Sequence, residues 1–334
     1  MSGATLVTGG TGFLGEHLLG LLVERGTPDL RVLVRGTYEP TIREGVQYVA
    51  GSVVGERADD PSLAALLDGC ETVYHLAGAV SRDPAASATM MRLHVQGTRR
   101  LLEAAATAGV RRVVIASSSG TIAVSREPEP ILDERAPYAT EIVSGWPYYL
   151  SKIYQEKLAL DLGRQLGLEI VIVSPSLLLG PGDRRQSSTG DVLRFLRRQI
   201  PAVPPGGVNF VDARDAAAGT LAAMERGRAG ERYLLGGPNW TCAEFFGRLE
   251  RASKVRCPWL RLPERVQKGG AILVEHLYRQ LDREPPVDRI SVEMGQVFWY
   301  CDSTKAEREL GFSARDPGET LDETIRWLRT HTRI

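Results

Sequence analysis

The segment Ala4-Thr5-Leu6-Val7-Thr8-Gly9-Gly10-Thr11-Gly12-Phe13-Leu14-Gly15 carries the strongest signal for the fold. Its apolar beginning predicts a strand and its end predicts a helix, with glycines at 9, 12 and 15. The first glycine permits a tight turn, the second lets the backbone approach a phosphate, and the third lets the helix pack closely on the strand. Since an anion is stabilised at a helix N-terminus, the segment is typical of a pyrophosphate site. The residues expected to contact a dinucleotide here are Gly9, Thr11, Gly12, Phe13, Leu14 and Gly15.

Short apolar and β-branched runs alternate with helical stretches through the first half of the chain. The strand-like runs are 31–34, 46–49, 72–76, 112–116 and 169–173, and the helical stretches are 13–25, 61–69, 86–108 and 148–166. This alternation predicts the α/β class, with a Rossmann-type doubly wound parallel sheet covered on both faces by helices. Ligands of such sheets bind beyond the carboxyl ends of the strands.

The alternation stops near residue 176, where Gly180-Pro181-Gly182 begins an irregular stretch. We therefore expect a dinucleotide-binding Rossmann domain at 1–175, rejoined by about 207–237. The segments 176–206 and 238–334 are expected to form a smaller, mainly helical C-terminal substrate-binding region.

Composition argues against several classes of partner. The 41 basic and 41 acidic side chains balance and 7% of the residues are aromatic, so neither nucleic acid nor an anionic membrane surface is expected as a partner. The four cysteines form no CxxC pair, which predicts reduced thiols and no metal site. No stretch approaches the ~20 apolar residues that span a bilayer, and the first residues lack the basic start of a secretory signal. These features predict a soluble cytoplasmic protein.

The residue that ends the second strand bears on the choice of dinucleotide. An acid at this place binds the ribose 2′-hydroxyl of NAD, whereas a basic residue accommodates the 2′-phosphate of NADP. Here the strand ends at Arg35, and it carries no Asp or Glu. A guanidinium binds phosphate through charge-assisted hydrogen bonds, and Arg31 and Arg43 are further candidates for this contact. NADP(H) is therefore predicted over NAD; the alternative is that Arg35 is a solvated loop residue.

Tyr148 and Lys152 are four residues apart on a predicted helix and so share one face. A lysine ammonium beside a phenol lowers the pKa of the phenol toward the range of a general acid. Tyr149, three residues from Lys152, is an alternative tyrosine. Three serines at 117–119 follow the strand 112–116, at the carboxyl edge of the sheet, where a hydroxyl can hold a carbonyl oxygen. The residues alone do not choose among these serines, and turn or cap formation is another interpretation of them.

Several further motifs appear in order along nearly the whole chain. They are Leu76-Ala77-Gly78, Ser151-Lys152 followed by Glu156, Ser174-Pro175-Ser176, and the segments 211–215, 230–237 and 303–311. With the glycine turn, Ser118, Tyr148 and Lys152, they resemble the extended (atypical) short-chain dehydrogenase/reductase superfamily. The chain is similar to its dihydroflavonol reductase-like branch, including bacterial members named as hopanoid-associated sugar epimerases.

The resemblance implies a role for each matching residue. Ser118 would hold a carbonyl oxygen, Tyr148 would be the general acid/base, and Lys152 would lower the pKa of Tyr148 and hydrogen-bond the nicotinamide ribose. The other cofactor contacts implied are Arg35 at the 2′-phosphate, Ser52, Leu76, Ala77 and Gly78, with Pro175 and Ser176 along the nicotinamide.

Two positions depart from the family pattern. Ser52 stands where members often carry an Asp that contacts adenine, so a hydroxyl replaces that contact or weakens it. His94 stands where members usually carry an Asn, and it can join the hydrogen-bond network which that Asn serves or be a satisfied buried side chain. His75, on the predicted strand 72–76, is interpreted as a core residue.

The resemblance implies an NADP(H)-dependent oxidoreductase that reduces a ketone or aldehyde of a small, hydrophobic metabolite by hydride transfer. An alternative is an NAD-dependent nucleotide-sugar epimerase or dehydratase, which favours an acid at the position of Arg35. A third interpretation is a sensor that binds NADP without catalysis, although such proteins tend to lose the tyrosine retained here as Tyr148.

The substrate, a small-molecule carbonyl or alcohol, is expected to meet the irregular segments 80–88, 121–146 and 178–189 and the region of Trp299. Trp146, Tyr149 and Trp299 can wall an apolar pocket, or they can be ordinary core. Related proteins occur as monomers and as homodimers, so the sequence leaves the oligomeric state open.

Overall fold

A computed structural model describes residues 3–35, 42–55, 63–258 and 289–333. Its strands are β1 (Ala4–Thr8), β2 (Leu30–Val34), β3 (Val46–Ala50), β4 (Cys70–His75), β5 (Arg112–Ala116), β6 (Glu169–Pro175), β7 (Leu177–Leu179), β8 (Gly207–Asp212), β9 (Arg232–Leu235) and β10 (Asn239–Thr241). Its helices are α1 (Phe13–Glu24), α2 (Leu63–Leu67), α3 (Ser87–Met91), α4 (Gly97–Thr107), α5 (Thr140–Val143), α6 (Pro147–Leu166), α7 (Gly190–Leu196), α8 (Ala213–Arg226), α9 (Cys242–Ser253), α10 (Arg289–Met294), α11 (Thr304–Leu310) and α12 (Pro317–His331).

Seven parallel strands form the central sheet in the order β3-β2-β1-β4-β5-β6-β9. The chain starts near the middle, builds outward to β3, and then returns past β1 to build the other half. The predicted doubly wound parallel sheet is confirmed. Strand order reverses between β1 and β4, so the carboxyl ends of these two strands border the crevice where such sheets bind ligands.

Helices cover both faces of the central sheet. Alternate residues of each strand point to opposite faces, so each face presents apolar side chains to a core. On one face, Val7 and Val114 pack in a core shared with α1, α8 and α11. On the other face, Leu6 and Val113 pack in a core shared with α2, α4 and α6. All four of these central side chains are fully buried, as near-continuous apolar strands of a parallel sheet require.

A second, three-stranded sheet in the order β10-β8-β7 lies in the later part of the chain. It has its own apolar core with α7, α9 and α12, in which Phe195, Phe210 and Phe246 are buried. The segment 207–237 was expected to rejoin the first domain. Helix α8 and strand β9 do so, whereas β8 pairs with β7 and β10. The division into two domains stays a prediction, and part of its last segment, 259–288, lies outside the described residues.

Two of the predicted helices differ in detail. The stretch 86–108 is divided into α3, a π-helical turn at Arg92–Gln96, and α4. The stretch 61–69 is the short helix α2, whose first two predicted residues lie outside the described ranges. Within the described ranges, no helix combines the length and apolarity needed to cross a membrane.

Candidate active site

The glycine-rich turn between β1 and α1 has little room for side chains. A Cβ at Gly9 would lie 2.5 Å from the Ala77 backbone nitrogen, and Gly9 has a φ of 74°, which favours glycine. A Cβ at Gly15 would lie 2.2 Å from the Gly9 carbonyl oxygen. The first turn of α1 therefore packs directly on the loop. Gly12 caps the helix without a side-chain hydrogen bond, so the first N–H groups stay available to an anion.

The other predicted dinucleotide contacts lie along the same edge of the sheet. Arg35 is exposed directly after β2, and Ser52 follows β3, where its hydroxyl accepts a 3.3 Å hydrogen bond from the Val54 N–H. Both alternative arginines already have an acidic partner, although the buried Nε of Arg43 has no hydrogen-bond partner among the described residues. Arg31 forms an ion pair with Asp29, and Arg43 lies 3.5 Å from a carboxylate oxygen of Glu16.

Two buried serine hydroxyls at the end of β6 bear on whether a nicotinamide fits there. Ser174 and Ser176 alternate on one side of β6 and its end, and their Oγ atoms find no partner among the described residues. A buried hydroxyl without a partner costs free energy, and a bound group that supplies one removes that cost. The cradle at Gly9 and Gly15 and these hydroxyls together fit a dinucleotide whose pyrophosphate meets α1 and whose nicotinamide meets the end of β6.

Helix α6 carries both predicted catalytic side chains. It begins at Pro147, whose missing N–H costs nothing in the first turn, so Tyr148 stands at the end nearest the edge of the sheet. The Lys152 ammonium is buried and donates 2.8 Å hydrogen bonds to the Ala116 carbonyl and the Gln155 side-chain oxygen. Burial lowers the pKa of Lys152 to about 8, with Glu156 opposing the shift.

The phenol of Tyr148 is neutral over the physiological range. Burial raises the pKa of Tyr148 to about 12, and a hydrogen bond with the Ser118 hydroxyl acts in the opposite direction. The Lys152 ammonium donates to the Ala116 and Gln155 oxygens. The lowering of the Tyr148 pKa by Lys152 stays a prediction.

The three serines after β5 have different surroundings. The Ser117 hydroxyl donates to the buried carboxylate of Glu156, which also forms an ion pair with Arg232. Ser118 is half-buried, in extended backbone, and beside the Tyr148 phenol. Ser119 is buried inside the short turn that follows. This arrangement favours Ser118 as the serine that faces a substrate, and its role stays a prediction.

Both histidines near the site are buried and neutral. His94 accepts a 3.0 Å hydrogen bond from the Ala79 N–H at Nε2, so its Nδ1 donates to the Ser151 hydroxyl at 2.8 Å. Burial, together with Lys152, lowers the pKa of His94 to about 2 and that of His75 to about 3. His94 thus connects the segment after β4 to α6 one residue before Lys152.

Aromatic rings form one wall beside Tyr148. The Tyr149 ring centroid lies 5.0 Å from that of Tyr148 and 4.9 Å from that of Trp299, and Trp146 packs against Trp299 at 5.5 Å. A Cβ at Gly120 would lie 2.4 Å from the Tyr149 ring, so this glycine lets the wall approach the serine turn. The structure brings together the three aromatic residues that were suggested for an apolar pocket.

Sequence reasoning missed two groups at this site. Arg82 forms an ion pair with Asp191 at 2.7 Å and donates to the Ser291 hydroxyl at 3.0 Å, which joins the segment before α3 to α7 and α10. Gln155 contacts the Lys152 ammonium. The three-residue spacing of Gln155 from Lys152 is a local pattern that indicates a contact on a helix. The ion pair of Arg82 and Asp191 joins residues far apart in sequence, so no local pattern indicates it.

Known proteins are similar to this chain over nearly its whole length. The family model described as the NAD dependent epimerase/dehydratase family matches residues 5–236. The chain is 33% identical to a putative dihydroflavonol 4-reductase of Synechocystis sp., over 99% of this chain and 96% of that protein. It is 32% identical to sterol demethylase protein B of Methylococcus capsulatus, over 97% of this chain and 98% of that protein.

A solved structure supports the same assignment. The crystal structure of gox2253 covers 100% of both chains with a TM-score of 0.84 and 33% identity. The resemblance to extended short-chain dehydrogenase/reductases, which the motifs suggested, is confirmed by these matches. The chain belongs to the NAD dependent epimerase/dehydratase family, in the dihydroflavonol reductase-like branch of the extended short-chain dehydrogenase/reductases, and is an NAD(P)-dependent oxidoreductase.

Proposed function

We propose that this protein is an NADP(H)-dependent reductase of a ketone or aldehyde in a small, hydrophobic metabolite. The observation that carries the proposal is the position of the Tyr148 phenol beside the Ser118 hydroxyl, with the Lys152 ammonium buried on the same helix. A protonated phenol is the form that can donate a proton to a substrate oxygen.

In the proposed reaction, the substrate carbonyl oxygen accepts hydrogen bonds from Tyr148 and Ser118. The reduced nicotinamide, when bound, supplies the hydride that the carbonyl carbon receives. As negative charge develops on the oxygen, the Ser118 hydroxyl stabilises it and Tyr148 transfers its phenolic proton to it. Lys152 would hold the nicotinamide ribose and keep positive charge near the phenolate that remains. Bulk water then restores the proton on Tyr148.

Preference for NADP(H) is supported by the end of β2. Arg35 is exposed there, and β2 carries no carboxylate that would bind a free ribose 2′-hydroxyl. Arg35 would give the 2′-phosphate two charge-assisted hydrogen bonds, as the planar guanidinium does with phosphates generally.

A hydrophobic substrate is supported by the wall of Trp146, Tyr149 and Trp299. These rings adjoin Tyr148, so a carbonyl held there would place its neighbouring carbon atoms on aromatic surface. Aromatic side chains supply large apolar contact areas for ligands. The name of the relative from Methylococcus capsulatus, sterol demethylase protein B, also refers to an apolar ring system.

The test is to measure oxidation of NADPH and NADH by absorbance across a panel of aromatic, steroid-like and aliphatic carbonyls. We expect turnover with NADPH for at least one apolar carbonyl, and less with NADH. The alternative function, an NAD-dependent nucleotide-sugar epimerase or dehydratase, predicts tightly bound NAD in the purified protein and no net oxidation. That result, with conversion of a nucleotide sugar, would replace the proposal.

A further inference from the structure

A continuous chain of buried hydrogen bonds runs from the catalytic lysine to the strand before the glycine-rich turn. The Lys152 ammonium donates to Gln155 Oε1 at 2.8 Å, and Gln155 Nε2 donates to Thr98 Oγ1 at 2.8 Å. Thr98 Oγ1 lies 2.8 Å from His75 Nε2, and His75 Nδ1 lies 2.7 Å from Thr8 Oγ1. Four structural elements, α6, α4, β4 and β1, each supply at least one member.

Every side chain in this connection is buried. Thr8, His75, Thr98 and Gln155 have 0% exposure, and Lys152 has 4%. Inside a protein each such group needs its partner, because a buried polar group without one loses the hydrogen bonds that it would make with water. An ammonium can only donate, so the bond from Lys152 fixes Gln155 Oε1 as the acceptor and turns its amide nitrogen toward Thr98. The orientation of Gln155 is thus determined at both ends.

The charges around Lys152 explain why neutral partners suit this position. His75 on β4 and the nearby His94 are neutral at physiological pH, because burial and the ammonium itself lower their pKa values. On α6 itself, Tyr148 is a neutral phenol, and Glu156 favours the charged lysine. A second positive charge among these hydrogen-bonded side chains would repel the ammonium, whereas the neutral Gln155 oxygen stabilises it.

We propose that Gln155 is a positioning residue for Lys152, held in orientation by Thr98 and His75. Its Oε1 and the Ala116 carbonyl fix the ammonium from two directions, so the ammonium keeps its place and its proton before any ligand arrives. Gln155 hydrogen-bonds Lys152 and Thr98, and it would act on the reaction through Lys152. The inference rests on the proposed role of Lys152 and deepens the proposed function.

The experiment compares Gln155→Leu and Gln155→Glu in the full-length protein. The charge state of Lys152 is measured directly, from the pH dependence of its acetylation by trace acetic anhydride, followed by mass spectrometry of the peptide. Leucine removes the acceptor, so we expect on the order of tenfold more uncharged amine at a given pH. Glutamate keeps an acceptor and adds negative charge, so we expect less uncharged amine than in the parent protein.

The matched control is Gln165→Leu, the same change on the same helix at an exposed site where Gln165 donates to Asp161. It is expected to leave the acetylation profile of Lys152 unchanged. Thr98→Val, which removes the hydroxyl that orients Gln155, is expected to change the profile in the same direction as Gln155→Leu and by less. Thermal unfolding verifies that each variant is folded, and Thr98→Val provides the test if Gln155→Leu does not fold.

Identical profiles in the two Gln155 variants, or shifts in the same direction, would overturn the inference. Because this measurement needs no substrate, it remains decisive if no carbonyl in the panel is reduced. In that case the proposed function fails while the positioning role of Gln155 is still accepted or rejected on its own. With a substrate in hand, the pH profile of kcat should move in the same direction as the acetylation profile.

Discussion

Gly120 lies so close to the ring of Tyr149 that a Cβ on Gly120 would be 2.4 Å from Tyr149 Cε1. Gly120→Ala must therefore displace Tyr149 or Trp299, whose ring would be 2.7 Å away. We expect the KM for an apolar carbonyl to rise by about tenfold, since displaced aromatic contacts of this kind contribute on the order of 1–2 kcal/mol. Gly145→Ala is the matched control, because no described atom lies within 4 Å of its Cβ position. If both substitutions change KM equally, the aromatic wall does not contribute to substrate binding.

Removal of the Tyr148 hydroxyl separates chemistry from binding. We expect Tyr148→Phe to lower kcat by about 10²–10⁴-fold, the usual contribution of a positioned general acid, while the dissociation constant of NADPH changes little. Tyr149→Phe is the control, because it removes a hydroxyl from the neighbouring ring and leaves that ring in the wall. If Tyr149→Phe causes the larger loss of kcat, the two tyrosines have been assigned in the wrong order.

Arg35 offers a test of dinucleotide choice. We expect Arg35→Ala to weaken NADPH binding by about 10–100-fold, the loss of one or two hydrogen bonds to a charged phosphate, and to leave NADH binding nearly unchanged. Arg25→Ala, an exposed arginine paired with Glu225 at the far end of α1, is the control for general loss of positive charge. Fluorescence titration with both dinucleotides measures the result, and equal weakening for NADPH and NADH would contradict a 2′-phosphate contact.

Two glycines of α1 differ in their surroundings. A Cβ at Gly15 would lie 2.2 Å from the Gly9 carbonyl oxygen, whereas at Gly20 the nearest described atom, on the Arg43 guanidinium, would be 3.7 Å away. We expect Gly15→Ala to lower the free energy of unfolding by about 1–3 kcal/mol and to weaken dinucleotide binding. Gly20→Ala should leave binding intact and raise the free energy of unfolding by about 0.5–1 kcal/mol. Denaturant unfolding of both variants, with and without NADPH, distinguishes them.

The buried neutral histidines predict sensitivity to acid. The folded-state pKa values of His75 and His94 are about 3 and about 2, below the usual value of 6.5. Between these limits the unfolded chain binds more protons, so the stability that is present above pH 6.5 is lost as the pH falls. Each histidine contributes up to about 1.4 kcal/mol per pH unit in this window.

His94→Asn should therefore flatten the dependence of Tm on pH between about pH 6 and pH 4. A slope that His94→Asn does not alter would show that His94 is not the group that takes up the proton on unfolding.

Local patterns were sufficient for the parts of the site that are contiguous in sequence. The glycine turn and the shared helical face of Tyr148 and Lys152 follow from chain geometry within a few residues. The choice among the serines at 117–119 required Glu156, because that carboxylate binds Ser117 from α6. No sequence pattern near a serine reports such a partner, and the resemblance to a family supplied the choice of Ser118 instead.

The chain of contacts through Gln155 was not predictable for the same reason. Its members stand at 8, 75, 98, 152 and 155, and they meet only after α4 and α6 have packed on the sheet. The position of β8 in the three-stranded sheet was not predictable either, since an apolar run predicts a strand but does not indicate which strands it pairs with. Its three-stranded partnership depends on β7 and β10, one on either side along the chain.

The path of the backbone through the two sheets has a consequence for how this molecule comes apart. After β6 the chain enters the small sheet at β7, remains there through β8, returns to the large sheet for β9, and leaves again at β10. A fragment cut after residue 175 would lose β9 and leave β6 as a bare hydrogen-bonding edge. The backbone therefore crosses between the two sheets three times, and no single cut of the chain separates all the strands of one sheet from all those of the other.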